Sequence, residues 1–178
     1  MRKLILTMSL SADGFVAGIN GETGWIGAEL DEDVQHWLAD GLTGAGVHLV
    51  GSDSLQEISA RWSEGPCALG FRAAPLLVLT RGDFVSTPAT VSLPGPLEQT
   101  VARLKREPGS DLVAHGGASV AQALIRAGLV DEFRLLVHPV ALGSGLPLFP
   151  ILDEPMQLSL TQLRHFRNGV VGQVLRPA

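Results

Sequence analysis

The run HGGAS at residues 115–119 lies between an apolar stretch, DLVA, and an amphipathic one, VAQALIRAGLVDE. A strand that enters a glycine pair and then a helix points free amides and the positive end of the helix dipole at whatever lies beyond. The missing side chains at Gly116 and Gly117 would also let a pyrophosphate reach the backbone. Phosphate binding is the chemistry this suggests, although a tight turn that simply needs glycine leaves the same trace. The other reactive groups are carboxylates. Asp13, Asp31 and Asp33 could each handle a proton if an apolar pocket raised the carboxyl pKa towards neutrality. Asp13 before Gly14 is equally a turn residue, and Asp31 and Asp33 equally cap and charge a helix start.

Several chemistries are absent. Gly41, Gly44 and Gly46 mimic a dinucleotide fingerprint, but they follow a helical pattern and precede a strand, the reverse of what phosphate binding requires. There is no G-x-x-x-x-G-K-[ST] loop, and with no tyrosine in the chain, carbonyl reduction by a Tyr–Lys pair is excluded. His48, His115 and His138 fall in strands without a metal-ligand spacing, so they read as core or sheet-edge residues and no metal site is expected. Cys67 stands alone, which excludes an internal disulfide.

Elements must hold the glycine turn and the acids in place. Short, mostly unalternated apolar runs at 3–9, 46–51, 75–80, 111–115 and 132–139 read as strands buried on both faces. Helical patterns follow Asp31, cover PLEQTVARLKRE with Leu97, Val101 and Leu104 on one face, and cover SVAQALIRAG, which Gly128 ends. Strands alternating with helices imply a mostly parallel sheet with helices on both faces. MQLSLTQLRHF, RNG and VVGQVL read as an antiparallel hairpin closing one edge. The chain of 178 residues, 46% hydrophobic, fits one domain over 1–178. A net charge of −5 and a pI near 5.5 give no footprint for nucleic acid or an anionic membrane. No leader is read in the first residues, and a cytoplasmic location is expected.

GGASVAQALIRAGLVDEFRLLVHPVALGSGLPLF (116–149) and the opening LTMSLSADGFVAG closely resemble the dihydrofolate reductase-like family that includes the reductase domain of the bifunctional riboflavin biosynthesis protein. The resemblance implies a three-layer α/β dihydrofolate reductase-like fold and a homodimeric reductase using NADPH, with NADH as the other option. Carried over by position, it places Gly116, Gly117, Ala118, Ser119 and Val120 around the cofactor pyrophosphate. It sets Val16 and Ala17 beside the nicotinamide, and gives the adenosine phosphates Gly51, Ser52 and Ser54, with Thr80 and Arg81 as the next nucleotide contacts. Ser11, in the Ser-x-Asp-Gly turn, and Trp25 fall on the substrate side.

The departures are informative. Where the family supplies a basic side chain for the 2′-phosphate, this chain has Ser52 and Asp53, which leaves Arg81 as the partner. No Lys or Arg occurs between Lys3 and Arg61. The family-level activity, 5-amino-6-(5-phosphoribosylamino)uracil reduction, needs a cation for the substrate phosphate. The acidic first half therefore points to another small heterocycle or carbonyl compound, neutral or cationic. The alternative is a ligand-binding or structural dimer that keeps the fold without hydride transfer.

Overall fold

The computed structural model describes residues 1–26, 31–80, 90–93 and 96–178. In chain order the elements are β1 (Leu4–Ser11), β2 (Phe15–Ala17), α1 (Glu32–Leu42) and β3 (Val47–Gly51); a 3-10 turn at Ser52–Ser54 leads into α2 (Leu55–Arg61). Next come α3 (Cys67–Arg72), β4 (Leu76–Leu79), β5 (Thr90–Leu93), α4 (Leu97–Arg106), β6 (Leu112–His115) and α5 (Ala118–Arg126). The chain closes with β7 (Glu132–His138), β8 (Leu146–Pro147), β9 (Leu158–His165) and β10 (Val171–Pro177).

Eight strands form one sheet in the order β5-β4-β3-β6-β1-β7-β10-β9. The first six run parallel; β10 pairs antiparallel with β7, and β9 antiparallel with β10. Strand alternation divides the core in two. Leu4, Leu6, Met8 and Leu10 of β1 meet Val101 and Leu104 of α4 and Leu124 of α5 on one face. On the other face, Ile5, Val50 and Val113 meet Val34, Trp37 and Leu42 of α1, Ile58 of α2 and Cys67 of α3. Both faces are covered, which is why these strands read as continuous apolar runs. The three-layer fold and its closing hairpin are as the sequence predicts.

Two helices and a strand go beyond that reading. α2 and α3 span 7 and 6 residues and bury one residue each, Ile58 and Cys67, too few to print an apolar stripe. β5 adds a parallel strand outside β4. Among the described residues, no helix is long and apolar enough to cross a membrane, and no cluster of His, Cys, Asp and Glu is placed to hold a metal ion.

Candidate functional site

β3 and β6 are neighbours in the sheet, but α2 follows β3 onto one face while α5 follows β6 onto the other. Their carboxyl ends therefore diverge, and in open α/β sheets such a divergence is where ligands bind. A cleft of about 600 Å³ opens there. Gly116, Gly117, Ala118 and Ser119 form one wall, Asp53 and Ser54 face them, and Val16 and Ala17 close the side nearest β1. β2 is held in that position by pairing with β8, Ala17 against Leu146.

The glycine pair has a backbone reason to be glycine. Gly116 and Gly117 have φ of +58° and +77°, where an L side chain costs about 1–2 kcal/mol. A Cβ on Gly116 would lie 3.1 Å from Ile58 Cγ1 and 3.2 Å from Ser54 Cβ; one on Gly51 would lie 3.0 Å from Val120 Cγ2. The two turns thus pack closely against each other. α5 then begins with no side-chain cap and no acid in its first turn, whereas α1 has the Asp31 side chain as cap and Glu32 and Asp33 behind it. α2 and α5 both start beside the cleft without a side-chain cap, but α2 carries Glu57 in its first turn whereas the leading amides of α5 have no carboxylate near them in sequence.

The structure separates the other expected residues. Gly51, Ser52 and Val120 do not line the cleft; Val120 packs against Gly51, and the Ser52 hydroxyl donates to Asp53 at 3.3 Å. Thr80 follows the last residue of β4, away from the cleft lining, and Arg81 lies outside the described residues. Trp25 does not line the cleft; its ring stands edge-on to His138 at 5.6 Å, and its Nε1 donates to the Glu22 carbonyl.

Two of the three candidate acids, Asp13 and Asp31, accept backbone amides. Asp13 accepts the Ser11 hydroxyl at 2.6 Å and the backbone amides of Gly143 at 2.7 Å and Leu142 at 3.1 Å. Led by the Ser11 bond and then the Gly143 amide, these contacts hold its pKa down at about 2, opposite to the rise a proton donor needs. Ser11 is buried and committed as well, accepting the Phe15 amide at 3.0 Å while donating to Asp13. The Ser-x-Asp-Gly turn is therefore a clasp between the β1–β2 turn and the loop after β7. Asp31 caps α1 through the Asp33 amide at 3.1 Å, Asp33 is exposed in the first turn, and neither reaches the cleft.

Residues 2–172 match the sequence pattern of the RibD C-terminal domain. The chain belongs to the RibD C-terminal domain family. It is 31% identical over 177 residues to the uncharacterized protein YyaP of Bacillus subtilis (strain 168), covering 96% of this chain and 92% of that one. A pyrimidine reductase-like protein from Corynebacterium diphtheriae superposes with a TM-score of 0.71 at 17% identity, covering 99% of this chain and 92% of that one. Dihydrofolate reductase from Enterococcus faecalis, complexed with NADP(H), gives 0.66 at 16% identity over 98% and 96% of the two chains. This RibD C-terminal domain thus has the dihydrofolate reductase-like fold.

Sequence reasoning missed the part of the cleft built by α2. Arg61 lines it, with Nη2 2.6 Å from Glu57 Oε1, which also accepts the Thr23 hydroxyl at 2.6 Å. The absence of Lys and Arg before Arg61 therefore does not leave the cleft without a cation: α2 brings one back. Three histidines read in the sequence as core or sheet-edge residues. They are buried, but on one face of the sheet and linked to polar partners. His48 Nδ1 lies 2.8 Å from His115 Nε2, and His138 Nε2 lies 3.1 Å from Ser9 Oγ, itself on the cleft. The signal was available in sequence, since each histidine falls in the last four residues of its strand.

Proposed function

We propose that this RibD C-terminal domain is a reductase that binds a reduced nicotinamide dinucleotide in the cleft, with the pyrophosphate on the amides at the start of α5. The uncapped helix start facing Ser54 across the cleft carries this reading, supported by family membership. NADPH is the first choice and NADH the second. When bound, the dinucleotide supplies a hydride. Gly116, Gly117 and Ser119 hold its phosphates, Val16 and Ala17 wall the reacting end, and Ile26, Leu38 and Ile58 exclude water from that end. The substrate is a small heterocycle or carbonyl compound. With Asp13 and Asp31 bonded to backbone amides and Asp33 exposed at the start of α1, the ionisable side chains on the cleft among the described residues are Asp53, Glu57 and Arg61, and His138 reaches it through Ser9.

Titrating the protein with NADPH and NADH while following tryptophan fluorescence tests binding. NADPH oxidation across a panel of cyclic imines, enones and ketones then tests catalysis. Failure to bind either cofactor at millimolar concentration would overturn the assignment.

We also propose a homodimer. β7 is an interior strand between β1 and β10 and offers no free edge for pairing with a second copy. At one edge of the sheet lies β9, exposed along nearly its whole length, with Leu160 and Leu163 half exposed. Sedimentation of the wild type and of a Leu160→Lys, Leu163→Lys double variant tests this, with a dimer expected for the first and a monomer for the second.

A further inference from the structure

Thr7 Oγ1, Trp62 Nε1 and His115 Nδ1 are buried atoms without a hydrogen-bond partner among the described residues, and they belong to neighbouring side chains. Thr7 and His115 are register partners on β1 and β6, so their side chains leave the same face side by side. The Trp62 ring stands edge-on to His115, with centroids 4.4 Å apart at 89°. Thr7 and Trp62 line the cleft itself. The three residues are 7%, 6% and 1% exposed, so bulk solvent does not satisfy them. Unpaired buried polar atoms are rare, and three on neighbouring side chains mark a place where a partner belongs.

His48 determines which kind of group each atom is. Its Nε2 lies 3.2 Å from the Gly70 carbonyl, which can only accept, so the proton is on Nε2. In the neutral ring, Nδ1 is then an acceptor, and the His115 Nε2 at 2.8 Å must donate to it. That leaves His115 Nδ1 a bare acceptor. Burial, the leading cause, pushes both rings towards the neutral form. Trp62 Nε1–H is a donor only, and the Thr7 hydroxyl serves as either.

We infer that Thr7, Trp62 and His115 form a recognition subsite for an uncharged ligand edge carrying an N–H beside a carbonyl. The N–H donates to His115 Nδ1, and the carbonyl accepts from Trp62 Nε1–H, with Thr7 completing the set. A carboxylate would meet the lone pair of His115, and an ammonium group would meet the indole N–H. The subsite therefore selects a neutral end of the substrate. The inference rests on the cleft being a binding site, and not on which cofactor it holds.

The probes are 2-pyridone, which has both groups, N-methyl-2-pyridone, which has only the carbonyl, and benzoate. Their dissociation constants are measured by NMR titration on the wild type, Thr7→Val and Trp62→Phe, with a thermal midpoint and an NADPH titration for each protein. Wild type should bind 2-pyridone about three- to tenfold more tightly than N-methyl-2-pyridone, and benzoate more weakly than either. Trp62→Phe should lose about three- to tenfold in 2-pyridone affinity. Thr7→Val should keep or raise the thermal midpoint, because replacing an unpaired buried polar atom by an apolar one of similar shape is neutral or stabilising, whereas Trp62→Phe, which leaves a cavity in the core, should lower it without unfolding the protein. Equal affinity for the two pyridones, unchanged affinity in both variants, or no binding of 2-pyridone to the wild type would each overturn the proposal; the last would leave the three atoms to an internal water only. Loss of NADPH binding with the pyridone contrast intact would remove the reductase reading and leave this one standing.

Discussion

His48 and His115, 67 residues apart in sequence, share a buried hydrogen bond of 2.8 Å between neighbouring strands β3 and β6. Neither ring has a carboxylate against it, and burial lowers the pKa of both, with the charge of His48 adding to the effect on His115. His138 is lowered too, by burial and then by Arg61.

The sign of the resulting pH dependence follows. Below the ordinary value of 6.5 the unfolded chain takes up protons at these sites while the folded protein resists. Stability is therefore fully present above pH 6.5 and declines as the pH falls below it. Denaturant midpoints between pH 8 and pH 5 should show the decline. His48→Leu should make it shallower while costing about 1–3 kcal/mol at pH 8, because the His115 Nε2–H loses its acceptor.

A second acid-sensitive step belongs to Asp13. Its depressed pKa means that the clasp on Leu142 and Gly143 is intact above about pH 4 and is lost as the pH falls through about 2. Amide exchange at residues 142 and 143 should rise across that window. In Asp13→Asn the rise should already be present at neutral pH, with cofactor affinity moved less than in a variant of the α5 start.

The glycine turn calls for a probe that leaves φ alone. Gly117→Val would strain the backbone at φ +77°, so its effect on a ligand could not be separated from its effect on folding. Ser119→Asp avoids this, since Ser119 is exposed on the cleft and an acid in the first turn of α5 favours the helix. Thermal stability should hold or rise, while NADPH and NADH should both weaken by about ten- to hundredfold through repulsion of the pyrophosphate. Unchanged affinity would return the glycines to the role of a plain turn.

Arg81 and the Ser52–Asp53 pair are the residues proposed to set cofactor choice. Arg81→Ala should weaken NADPH about tenfold to a hundredfold and NADH little, because only NADPH has a 2′-phosphate to leave unpaired. Ser52→Arg should strengthen NADPH selectively. Equal losses for the two cofactors in Arg81→Ala would show that Arg81 does not read that phosphate.

The layered fold was legible because strands buried on both faces and helices with one apolar face leave distinct patterns. Leu4–Leu10 and Leu97–Leu104 are clear cases. The cleft wall at Gly116–Ser119 was legible for a related reason, since a strand, two glycines and a helix are contiguous in the chain. α2 was not, because a helix of seven residues with one buried side chain carries almost no periodicity.

By itself, the sequence determined the order of elements, the parallel sheet and the place where the backbone turns closely enough to approach a phosphate. All of these depend on neighbours in the chain. Only the tertiary structure decided the roles of the polar side chains, because those roles depend on partners far away in sequence. Asp13 looks like a free acid until Gly143 arrives from 130 residues on. His115 looks like a core residue until its Nε2–H donates to His48 and leaves Nδ1 without a partner near Thr7 and Trp62. A carboxyl pKa or an imidazole tautomer is fixed by the hydrogen bonds and burial around it, and the fold supplies both.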